Sequence, residues 1–204
     1  MKLRNAVPLL WLAVACGRGE DAMLSSPSYR LAAPSSAGLT WKVHQPVIRL
    51  CYTDSSNSAT HRADVIYAVE EWIRGIAEIA QEPLATSVEL VARTAPCDAN
   101  VRIGNYSPAN TQMGSKPTVN INFSGWFGSK SVTLHEFGHA FGLLDTYNGS
   151  GGSCQSGHPN SVMCRASYLT LQPDDINGIR DMYRRVKQAR GVRITDEHEG
   201  QIVQ

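Results

Sequence analysis

The chain has 204 residues, 42% of them hydrophobic, which suits one domain with its own core and argues against an extended disordered chain. Its 19 basic and 18 acidic residues are mixed along the sequence and leave a formal charge of +1, so no basic stripe marks a nucleic-acid partner. One catalytic or binding domain behind a short leader is the expected organisation, and a monomer the expected state.

The leader is residues 1–16. Lys2 and Arg4 make a basic start, and the apolar run over residues 6–15 is too short to span a bilayer, which is the layout of a secretory signal peptide. Two exits stay open. Ala13-Val14-Ala15 suits an ordinary signal peptidase, whereas "LAVAC" resembles the bacterial lipobox with Ala13 in place of the usual leucine, which makes Cys16 a candidate for lipidation and membrane anchoring. A bacterial secreted protein or outer-membrane lipoprotein is expected on either route. Residues 17–40, rich in Ser, Ala, Pro and Gly, read as a pro-segment or a tether.

Residues 41–190 carry the periodic elements, and 191–204 form a tail. "VIRLCY" over 47–52 alternates as a first strand. A helix is expected over 61–80, with Ala63, Ile66, Val69, Ile73, Ile76 and Ala77 recurring at three- and four-residue steps before Pro83. Further strands are predicted over 86–92, 100–106 and 117–123, with residues 110–116 as either an edge strand or a plain hairpin loop. A second helix begins near Ser131, and Pro173 and Asp174 open a third with Ile176, Ile179, Met182, Tyr183 and Val186 on one face. The fold class is therefore α/β (α+β): a twisted, mixed but mostly parallel sheet carrying three main helices.

The chemistry concentrates in "LHEFGHAFGLLD", residues 134–145. Polar groups inside an apolar run need a partner to offset lost hydration, and a metal ion satisfies several at once. Residues four apart on a helix share a face, so His135 and His139 can present two imidazole nitrogens to one ion. Zinc suits neutral imidazoles, and a catalytic zinc site takes three protein ligands and leaves a position for water. Glu136 can act as general base on water acidified by the metal. Gly142 allows the chain to leave the helix and turn back, and Asp145 can complete the tripod; His158, in the following loop, is the competing third ligand. His44, His61 and His198 have no comparable setting and read as surface residues.

Without Cys16, the cysteines number four: Cys51, Cys97, Cys154 and Cys164. Of the three pairings open to them, Cys154 with Cys164 and Cys51 with Cys97 are favoured; a structural zinc site on Cys154, His158 and Cys164 is the rival.

His135, Glu136, His139, Gly142 and Asp145 together resemble the extended H-E-x-x-H-x-x-G-x-x-H/D motif of the metzincin zinc endopeptidases, in the minority form with a final Asp found in snapalysin-like enzymes. Ser161-Val162-Met163 lies where those proteins have a tight turn with a methionine beneath the metal, and "LQPDDINGIRDMY" is similar to the closing helix of matrixins and their bacterial relatives. The resemblance runs over residues 47–186. It implies a zinc cleft between an upper and a lower part, Met163 as a hydrophobic floor, and a peptide or protein substrate held along the edge strand at 110–116. It departs at two places: Arg165 replaces the tyrosine that commonly follows the turn methionine, leaving Tyr168 as the candidate for transition-state support, and Asp145 adds a negative charge. Latency by an acidic residue of a pro-segment, as in some bacterial relatives, would fall to Asp21. The function expected is an exported zinc-dependent endopeptidase with one catalytic zinc ion, calcium being undecided; a catalytically inert, zinc-stabilised surface binding protein is the alternative.

Overall fold

In the computed structural model the described residues are 29–104, 106, 108–122, 129–146, 154 and 160–191. Cys16, Asp21, His158, His198, the leader and most of the tail lie outside them. The elements in chain order are β1 (Arg30–Leu31), β2 (Val47–Asp54), α1 (Ala59–Ile76), β3 (Ser87–Val91), β4 (Ala99–Gly104), β5 (Asn110–Gln112), β6 (Thr118–Asn122), α2 (Ser129–Ala140), β7 (Leu143–Leu144) and α3 (Pro173–Ala189). The expected mixed sheet is observed: β3, β2, β4 and β6 run parallel in that order, and β5 closes one edge antiparallel to β6.

Alternation along β4 turns Ala99, Val101 and Ile103 into the core, where they meet Ile48 and Leu50 of β2 and Val119 and Ile121 of β6. α1 and α2 cover this face and pack on each other through Val65, Ala68, Val69, Trp72, Leu134 and Phe137. α3 lies against α1, with Ile179 so close to Gly75 that a β-carbon there would stand 3.0 Å from its Cγ2. Ile179, Met182, Tyr183 and Val186 face inward as expected.

α1 differs from its sequence reading in two ways. Its buried face is centred on Val65, Ala68 and Trp72, while Ala63 and Ala77 are exposed. It also ends at Ile76, short of residue 80. The guanidinium of Arg180 donates to Gly75 O at 3.0 Å, and the amide of Ile79, which would reach that carbonyl in a continuing helix, goes to Ile76 O. A long-range contact has replaced the last local ones.

Residues 29–40 were expected outside the domain, yet they are part of its body. β1 pairs antiparallel with β7, and Ala37, Leu39 and Thr40 are buried. Backbone pairing and small apolar side chains hold this segment, and its Ser/Ala/Pro composition is that of a closely seated strand rather than a loose linker. His44 also departs from a surface reading, bridging Pro83 O and the Tyr183 hydroxyl at 3.0 Å each, while His61 Nδ1 meets Asp54 Oδ2 at 3.1 Å. Both favoured disulfides form, Cys51–Cys97 and Cys154–Cys164, each with Cα atoms 5.5 Å apart. No helix among the described residues is long and apolar enough to cross a membrane.

Candidate metal centre

Most of α2 is buried, with Leu134, Phe137 and Ala140 fully enclosed and even His135 and Glu136 only 8% and 5% exposed. Polar side chains in such a helix must each find a partner. The two histidines, one turn apart, set their rings at 90° with centroids 5.0 Å apart. His135 Nδ1 lies 2.8 Å from Val162 O and His139 Nδ1 2.8 Å from Leu143 O. A carbonyl only accepts, so both Nδ1 atoms carry the proton, and both Nε2 lone pairs are left for a metal.

Those Nε2 atoms converge on Asp145. α2 ends at Ala140, and the chain turns at Gly142, whose φ of +105° belongs to the conformation glycine adopts freely and whose missing side chain leaves room for Ala37. β7 then brings Asp145 Oδ1 to 3.2 Å from His135 Nε2 and 3.4 Å from His139 Nε2. Donors about 2.0–2.2 Å from one tetrahedral centre stand about 3.4 Å from each other, and the carboxylate oxygen lies at about that distance from each imidazole. Asp145 Oδ1 is buried and makes no well-directed hydrogen bond. Burial pushes the Asp145 carboxyl up, but its interactions with His135 and His139 outweigh that and hold it well below the usual aspartate range. In the same way burial lowers His135, and Asp145, the Glu136 charge and the Val162 carbonyl more than reverse it. His135, His139 and Asp145 are a group that could hold a metal ion, with ligand atoms within 4.8 Å of one another.

Next to them the chain makes a turn at 161–164 that carries Met163. Met163 is buried, and a β-carbon on Gly138 would lie 2.3 Å from its Sδ and 2.8 Å from Trp72 Cζ2, so the thioether fills the space the helix glycine leaves. Asp175 holds the turn, accepting from Ser161 Oγ at 2.6 Å, Val162 N at 2.9 Å and Met163 N at 3.3 Å, and from Gln172 N at 2.9 Å. Burial nonetheless pushes its carboxyl up. Thr146 N donates to Met163 O at 3.1 Å, which ties the residue after Asp145 to the same turn. Cys164, next to Met163, is joined to Cys154.

Glu136 stands beside the group on the same helix. Its Oε2 accepts a hydrogen bond of 2.8 Å from Thr111 Oγ1, which is also 2.9 Å from Glu136 O, so β5 grips this residue at two oxygens. Two residues that contact this group or its neighbours were not singled out from sequence, Thr111 and Asp175. Asp175 carried a faint signal as an acidic residue in the first turn of a helix; Thr111, one hydroxyl in a polar strand, carried none. Tyr168 donates to Asn160 Oδ1 at 3.0 Å, and Arg165 is exposed. No protein-family model and no curated protein matches the chain.

Proposed function

We propose that the chain is an exported zinc-dependent endopeptidase of metzincin type, in which His135, His139 and Asp145 hold the ion and Glu136 is the general base. The observation that carries this reading is the pairing of two elements: a His135-His139-Asp145 group that could hold a metal ion, and a carboxylate on the adjacent helix position that is not one of the three. Three ligands rather than four leave a position open for chemistry. A zinc ion bound there would supply a Lewis acid that acidifies water and polarises a carbonyl oxygen. Glu136 takes a proton from the attacking water and delivers it to the leaving amine, while Thr111 fixes which oxygen of the carboxylate is free.

The edge strand β5 suits a substrate held as one more extended strand, since among the described residues its outer side has no strand beside it in the sheet. A basic-then-apolar leader and two disulfides agree with export to an oxidising compartment, by release or through Cys16. A zinc-loaded preparation offered a library of fluorescence-quenched peptides tests the activity. Cleavage should be abolished by 1,10-phenanthroline and fall at least about 1,000-fold in Glu136→Gln, with zinc content retained. A zinc-bound wild type that cleaves nothing would favour the inert binding protein.

A further inference from the structure

A helix leaves its last carbonyls without intrahelical partners, and the end of α2 must also launch the turn that delivers the third ligand. The carbonyls that follow are met by one segment. Leu39 N donates to Ala140 O at 3.2 Å, Thr40 Oγ1 to Phe141 O at 2.6 Å, Ala32 N to Gly142 O at 2.9 Å and Arg30 Nη1 to Asp145 O at 3.3 Å. Between them β1 pairs Arg30 with Leu144 and Leu31 with Leu143, and Ala37 fills the space at Gly142. The remaining carbonyl in this stretch, Leu143 O, takes the Nδ1 proton of His139.

The segment is itself firmly seated. Gly114 N donates to Ser36 O at 3.2 Å, Ala37 bridges to Gly114, and Gly38 passes so near Gly114 O that a β-carbon would lie 2.3 Å away. Tyr29 packs on Gly178 of α3 at the other end.

We propose that residues 30–40 are a positioning strap for the third metal ligand. β7 has β1 as its strand partner, so the direction in which Asp145 leaves the helix end is set by the strap and not by the main sheet. Metal affinity then depends on residues more than a hundred positions upstream of the ligand. Any maturing cleavage must fall before Tyr29, and a cut inside 32–38 disarms the site by separating Ala32 from Leu39 and Thr40. The inference depends on the metal-centre reading, but not on peptidase activity.

The test uses the full chain with Thr40→Val, Thr40→Ser and Arg30→Ala, the last at an exposed position. Zinc affinity is measured by competition with a chromophoric chelator, and hydrogen exchange is followed at residues 143–146 of the metal-free protein. Ile48→Val, in the sheet away from the strap, controls for general loss of stability. Thr40→Val should lose roughly 10- to 100-fold in zinc affinity, as partners behind metal ligands do, and Thr40→Ser should recover most of it. Arg30→Ala should lose less, with faster exchange confined to 143–146. If the strap variants keep wild-type affinity and exchange, or lose no more than Ile48→Val, the segment is only structural and the proposal fails. A wild type that binds no zinc while the exchange effect persists would overturn the metal centre, and with it the positioning role, leaving a structural clamp.

Discussion

Thr111 and Asp175 act on the site without contacting the ligand group's metal-facing atoms. Thr111 Oγ1 holds Glu136 Oε2 at 2.8 Å, so Thr111→Val should leave zinc content unchanged and lower kcat about tenfold with little change in KM, and Thr111→Ser should restore it. Steady-state kinetics on one cleaved peptide checks this; an unchanged kcat would mean the hydroxyl does not orient the base. Asp175 has a larger structural task, because Val162 donates its amide to this carboxylate and offers its carbonyl to His135 Nδ1. Asp175→Ala strands three donors, Ser161 Oγ and the Val162 and Gln172 amides, while Met163 N keeps Ser161 Oγ at 3.0 Å; it should cost about 3 kcal/mol or more in urea denaturation of the metal-free protein. It should also weaken zinc binding, since His135 loses the carbonyl that fixes its tautomer.

At the scale of elements, the fit between α2, α1 and the methionine turn is close at one point. A β-carbon at Gly138 meets Met163 Sδ, the far end of a flexible side chain, and the Trp72 indole, which is fully buried and donates to Leu134 O at 2.8 Å. The thioether can swing aside and the indole cannot, so Gly138→Ala should destabilise by about 1–3 kcal/mol, read as a lower thermal midpoint. Much of the fold was legible in the sequence because periodicity records burial: the strands at 47–54 and 118–122 and the helices α1 and α3 came from it, whereas α2, apolar almost all round, was placed by its His-Glu-x-x-His motif. What escaped was backbone bonding. β1 and β7 are two residues each and signal nothing by pattern, so the strap looked like a linker; α1 lost its last turn to Arg180, a partner more than a hundred residues away. The site divides in the same way: His135, Glu136, His139, Gly142, Asp145 and Met163 announce themselves by residue type and spacing, whereas Thr111 and Asp175 act through contacts that spacing does not encode.

For the molecule as a whole, acid should act through Asp54 at the junction of β2 and α1. Its buried carboxylate accepts from Ser56 N and Oγ, Ser58 N and the Tyr52 hydroxyl, and meets His61. Burial pushes it up, but these donors outweigh burial and hold the folded-state value well below the ordinary one. The unfolded chain therefore takes up a proton first. The stabilisation is complete above about pH 5 and is lost as pH falls through about 4 towards 2. Urea midpoints of the metal-free protein at pH 7 and pH 3 should differ more for wild type than for Asp54→Asn, and equal differences would remove Asp54 from the acid response. The ligand assignment itself is tested most directly by X-ray absorption at the zinc edge on the zinc-loaded full-length chain. The account predicts two imidazole nitrogens at about 2.0–2.1 Å and a carboxylate oxygen at about 2.0–2.2 Å, with one imidazole lost in His139→Ala and the carboxylate lost in Asp145→Ala. Sulfur ligands at about 2.3 Å, or three imidazoles in an otherwise normal site, would contradict it.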